Sequence, residues 1–135
     1  MLLLDTNFLI DLHTELCRKP GADGPAKRFM RANRTLAMAI TPVTANEYAA
    51  GIRHEREARR FLRRFRMIAL GRDIAFFAAR IDREQSAKGL RLGENDTWQA
   101  AVALRFGLIL VTDDTDFDKL PQVRRRNYLV NGPAE

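Results

Sequence analysis

The sequence contains one cysteine, Cys17, and two histidines, His13 and His54, among 135 residues. A single cysteine excludes an internal disulfide, suits a reducing compartment, and reads by default as a small buried hydrophobe. No apolar run approaches the ~20 residues that a bilayer crossing requires, which predicts a soluble chain with no membrane partner. The opening residues also lack the basic start, apolar middle and small-residue cleavage site of an export signal, since Asp5 and Asp11 interrupt the leucine-rich start. The expected location is cytoplasmic. There is no internal repeat, no low-complexity tract and no glycine-rich phosphate loop, which argues against nucleotide-dependent chemistry.

A chain of 135 residues is long enough for one core and too short for two, so residues 1–135 are expected to form a single domain. The formal charge is +6, from 23 Lys and Arg against 17 Asp and Glu. Much of the excess falls between Arg53 and Arg66, where seven arginines accompany two glutamates. A second knot, RRR, spans Arg124 to Arg126. Clustering of this kind favours a polyanion, through phosphate contacts and counterion release. Arg53, Arg56, Arg59, Arg60 and Arg63 are the candidate phosphate contacts; an acidic protein segment would suit the same face.

Along the chain, apolar runs alternate with helical spacing. Leu2 to Leu4 suit a short buried strand, and Phe8, Leu9, Leu12 and Leu16 follow at helical intervals. RKPGADGP, Arg18 to Pro25, reads as a loop between helices. LAMAI, Leu36 to Ile40, is a second strand; TPVTANEYAAGI behind it places Pro42 in a first helical turn and Gly51 at a helix end. Ala58, Phe61, Leu62 and Phe65 then form an apolar stripe, with arginines on the remaining faces. MIAL predicts a third strand, and Ile74, Phe77, Ala78 and Ile81 a helix running out near KGLRLG. Trp98, Ala101, Val102 and Leu104 mark a helix from about Asn95 to Gly107. LILV, Leu108 to Val111, is the clearest strand, and RNYLV is expected to add an edge strand. Strands alternating with helices imply an α/β fold with a parallel sheet covered on both faces.

Two strands end on carboxylates: LLL on Asp5, and LILVT on Asp113 and Asp114, with Asp116 beyond. In open α/β sheets the working crevice lies outside the carboxyl ends of the strands, where the strand order reverses. Glu47 and Asp96, each early in a helix, can reach that rim. Two carboxylates ~4 Å apart at an effective dielectric of ~20 repel by about 4 kcal/mol, so such a cluster traps protons or holds a divalent cation. An all-oxygen set without cysteine or paired histidines favours Mg²⁺ or Mn²⁺ over zinc. Each acid also has a plainer reading. Asp96 can oppose a helix dipole, Asp113 and Asp116 can form turns, Glu47 can pair with an arginine, and Asp5 can cap the following helix.

LLLDTNFLID, TPVTANEYAAGI, ENDTWQAAVA and LILVTDDTDF, in this order, resemble the motifs of the PIN-domain family, specifically its VapC-type toxins. The resemblance covers nearly the whole chain. It implies a three-layer α/β/α fold with a central parallel sheet of four or five strands, acids that bind Mg²⁺ or Mn²⁺, and endoribonuclease activity. It further implies a homodimer held in check by a cognate antitoxin. Carried over residue by residue, Asp5, Glu47, Asp96 and Asp114 are the catalytic, metal-binding acids, with Asp116 an auxiliary ligand and Asp113 a rival for the fourth position. Thr6, Asn7 and Thr112 become polar neighbours of the acids.

The expected chemistry is hydrolysis of an RNA phosphodiester by metal-activated water, leaving a 5′-phosphate and a 3′-hydroxyl. A metal-free route would need a histidine pair, and His13 and His54 read instead as satisfied or surface residues. Phe61, Phe65 and Trp98 read as packing. The alternative is a catalytically inactive, RNA-binding PIN-like domain, whose mark would be an incomplete acid set. A phosphoryl-transfer enzyme with Asp5 as nucleophile would want a second aspartate where Asn7 stands.

Overall fold

The computed structural model describes residues 1–18, 21 and 23–130. Five strands form one parallel sheet: β1 (Leu2–Leu4), β2 (Met38–Ile40), β3 (Arg66–Met67), β4 (Ile109–Val111) and β5 (Arg125–Arg126). Their order across the sheet is β3-β2-β1-β4-β5. Six α-helices flank it among the described residues: α1 (Thr6–His13), α2 (Pro25–Ala32), α3 (Pro42–Ala50), α4 (Glu55–Leu62), α5 (Arg72–Ala87) and α6 (Glu94–Phe106). None is long and apolar enough to cross a membrane.

Successive strand residues point to opposite faces, and both faces are covered at the centre of the sheet, so β1, β2 and β4 are apolar throughout. Leu2 and Leu4 pack with Phe8, Leu9, Leu12, Tyr48 and Phe61 from α1, α3 and α4. Leu3 points the other way, into a core built with Ile74, Ile81 and Val102 from α5 and α6. β4 divides likewise, with Leu110 on the second side and Val111 on the first. Each such side chain contributes about 1.5–3 kcal/mol on burial, which makes the three-leucine strand the fold's anchor.

Several elements differ in detail from the sequence reading. The strand expected at MIAL is Arg66–Met67, with Ile68 adding one more bond to Ile40 O at 2.8 Å. The strand expected at RNYLV is Arg125–Arg126. Asn127 Oδ1 accepts from Leu129 N at 3.0 Å and turns the chain, while Tyr128 drops into the core 4.9 Å from the ring of Phe8. Cys17 is exposed rather than buried. It lies in a π-helical turn, Thr14–Arg18, that prolongs α1. Residues 19, 20 and 22 of the expected RKPGADGP loop lie outside the described residues. At the other helix ends the reading holds: Pro42 begins α3, and Gly107 closes α6 at φ 65°, where a side chain would be strained.

Candidate metal centre

β1 and β4 are neighbours in space although all six α-helices and two strands separate them in the chain, and the strand order reverses between them. Their register pairs Leu4 with Val111, so the next residues, Asp5 and Thr112, emerge side by side at the carboxyl rim. Thr112 Oγ1 donates to Asp5 Oδ2 at 2.7 Å. Asp5 occupies the N-cap position of α1, yet its side chain makes no cap bond, so the capping reading does not account for it. Burial pushes its carboxyl pKa up, against the lowering effect of bonds from Thr112, the Thr6 backbone and Gln99.

Glu47 is carried by α3, whose start is fixed by Pro42 and by Thr41 Oγ1 accepting from Thr44 N at 3.2 Å. Thr6 Oγ1 donates to Glu47 Oε1 at 2.8 Å, tying α1 to α3 at the rim. Asp96 lies in the first turn of α6, where the helix dipole favours an acid. Its carboxyl is pushed up to about 6, first by burial and then by the charges of Asp114, Asp5, Asp116 and Glu47. Asp5, Glu47, Asp114 and Asp116 are therefore all within electrostatic reach of Asp96.

They are not equally close. Asp96, Asp114 and Asp116 each place a carboxylate oxygen within 4.8 Å of the others, while Asp5 and Glu47 stand outside this trio. The loop after β4 is held by its own backbone: Asp114 N donates to Thr112 Oγ1 at 3.1 Å, and Asp116 N to Asp114 Oδ1 at 2.9 Å. Asp113 is engaged elsewhere, accepting from Asn7 Nδ2 at 3.3 Å. Lys119 Nζ lies 3.6 Å from Asp116 Oδ1, an exposed pair of small worth.

The sequence reading missed Gln99. It is 1% exposed, and its side chain joins α6 to α3 by accepting from Thr41 Oγ1 at 2.7 Å and donating to Thr44 Oγ1 at 2.6 Å, besides bonding Asp5. The available signal was a lone amide inside the apolar run WQAAVA, three residues beyond Asp96. His13 is buried and bonded through Nε2 to Glu57 Oε1 at 2.9 Å, and His54 is exposed at the start of α4. Arg56, Arg59, Arg60 and Arg63 line, with Glu55, a cavity of about 440 Å³ along α4; Arg53 lies outside that lining. Phe61 and Phe65 are buried, and Trp98 is partly buried against the α5–α6 core.

The PIN domain matches residues 2–123 of the sequence. The chain belongs to the PIN domain family. Several solved structures share the overall fold. A toxin–antitoxin complex from Klebsiella pneumoniae contains a chain 29% identical to this one, with a TM-score of 0.68 over 91% of this chain and 95% of that one. DNA-bound VapBC from Salmonella typhimurium gives 24% identity and a TM-score of 0.73, covering 95% and 99% of the two chains. VapBC2 from Rickettsia felis, bound to a DNA fragment from its promoter, gives 21% and 0.74, covering 93% and 97%. No curated protein matches this PIN domain. Its oxygen-only acid set suits a hard divalent cation, which would offset the burial and the neighbouring negative charges that raise the Asp96 carboxyl.

Proposed function

We propose that this PIN domain is a Mg²⁺- or Mn²⁺-dependent endoribonuclease, the toxin of a cytoplasmic toxin–antitoxin pair that acts as a homodimer. The observation that carries the reading is the convergence of Asp96, Asp114 and Asp116 within 4.8 Å, beside Asp5 and Glu47, where the strand order reverses. Occurrence of the matched folds in toxin–antitoxin complexes supports the antitoxin partner.

Asp96, Asp114 and Asp116 would hold the cation with Asp5 and Glu47. When bound, it supplies a Lewis acid for the charge growing on the scissile phosphate and lowers the pKa of water. Thr112 and Gln99 donate to Asp5 and stabilise its ionised form, while Thr6 fixes the orientation of Glu47. Arginines of α4 would grip flanking phosphates through the row Arg56, Arg59, Arg60 and Arg63. The bond from His13 to Glu57 leaves no free histidine pair to serve a metal-free route.

The direct test is to incubate purified protein with total RNA and Mn²⁺ or Mg²⁺, with EDTA and Asp5→Asn controls, and to map the cut ends. Cleavage leaving 5′-phosphates, lost in both controls, is expected. Equal cleavage by the variant would remove the proposal.

A further inference from the structure

The acids lie where β1 and β4 end; a different surface lies where those strands begin. Met1, Met67, Ile68, Phe106 and Leu108, with Arg66, line a cavity of about 470 Å³. It adjoins a second cavity of about 420 Å³, which shares Ala69 and Phe106 and extends to Arg72 and Arg105. Met1, Met67 and Phe106 are 43%, 49% and 49% exposed, an unusual concentration of large apolar side chains in one place.

The groove reaches the sheet edge at β3, whose Arg66 and Met67 are part of its lining. β3 pairs with β2 alone, and both its residues are exposed. Alternate residues of a parallel strand bond to opposite neighbours. Because Ile68 N bonds to Ile40 O, the polar backbone of Met67 faces the open side. Arg66, Arg72 and Arg105 surround the groove without an ion pair among the described residues, and Asp73 is the one acid lining it. A second copy of the chain, paired edge to edge about a twofold axis, would set these arginines against their own equivalents.

We propose that this edge docks an extended acidic segment of a partner protein, which adds a strand beside β3 and seats an apolar side chain between Met67 and Phe106. Strand addition draws affinity from main-chain bonds and specificity from the pocket beneath alternate side chains. The arginines supply the charge complementarity.

The test uses the full chain and a fluorescein-labelled decapeptide alternating Glu with Leu and Val, read by fluorescence anisotropy. Saturable binding is expected, weakened by about tenfold or more in Met67→Glu and in Phe106→Ser, a shift of about 1.4 kcal/mol or more. Both positions are exposed, and thermal melts would verify that each variant is folded. A peptide with Lys in place of Glu, or one N-methylated at alternate amides, should not bind. Arg59→Glu/Arg60→Glu, which alters α4 alone, should bind as the parent does. Absence of saturable binding would overturn the proposal. So would binding lost in the α4 variant and kept in Met67→Glu, or sedimentation showing that Met67→Glu dissolves a dimer of this chain.

Discussion

The hydroxyl of Thr112 lies 2.7 Å from Oδ2 of Asp5, joining residues 107 positions apart. The same oxygen accepts from Asp114 N at 3.1 Å, so one side chain links the acid after β1 to the loop after β4. Thr112 is fully buried, and loss of its hydroxyl would leave a buried carboxylate short of a donor. Thr112→Val should lower stability by about 1–3 kcal/mol in urea unfolding, while Thr112→Ser retains most of it. A valine variant as stable as the parent would show that the bond contributes nothing.

Asp96 sets a pH dependence. Its carboxyl is raised from 3.8 in the unfolded chain to about 6 in the fold. Between those values the folded protein holds more protons than the unfolded one, so its stability falls as pH rises through the window. Asp5, also raised, acts in the same direction. Metal-free protein in EDTA should therefore melt at a lower temperature at pH 7 than at pH 5, with the difference reduced in Asp96→Asn. Mn²⁺ should restore the loss, most fully at pH 7. A melting temperature that climbs across this range in EDTA would contradict the assignment.

The three aspartates after β4 should separate in metal binding. Asp114 and Asp116 approach Asp96, whereas Asp113 is bonded to Asn7. Isothermal titration with Mn²⁺ should find affinity reduced by about tenfold or more in Asp114→Asn and Asp116→Asn, and nearly unchanged in Asp113→Asn. The reverse order would move the ion to the α1 side of the loop.

Glu15 caps a helix from a distance. Its carboxylate accepts from Ala26 N at 3.0 Å and Lys27 N at 2.9 Å, doing for α2 what the N-cap Gly24 cannot. A Cβ at Gly24 would sit 2.3 Å from Glu15 Cδ, so Gly24→Ala must displace that cap. Both Gly24→Ala and Glu15→Ala should lose about 1–2 kcal/mol by urea unfolding. A neutral Gly24→Ala would mean that the carboxylate can move aside and still cap.

What could be read in advance follows from the range of each interaction. β1, β2 and β4 were visible because both faces of a central strand are buried, which demands unbroken apolar runs. β3 and β5 are two-residue edges with polar or exposed side chains, and periodicity placed them one or more residues late. The acids declared themselves by ending strands or opening helices. Their division into a close trio with Asp5 and Glu47 alongside depends on how α3 and α6 lean on the sheet, which no local pattern encodes. Gln99 escaped for the same reason: its partners Thr41 and Thr44 lie more than fifty residues away. Cys17 departs from the buried default: the helix continues past His13 as a π-turn, and within it the cysteine is exposed.

The sheet order has a bearing on biosynthesis. Within this sheet β1 is translated before β4, so its flank toward β4 stays bare until residues beyond 108 have been made. Nascent or truncated polypeptides that stop before β4 lack both Asp114 and Asp116, as well as the threonine that steadies Asp5. Whatever chemistry the rim supports is thereby withheld from incomplete products, a safeguard written into the connectivity itself.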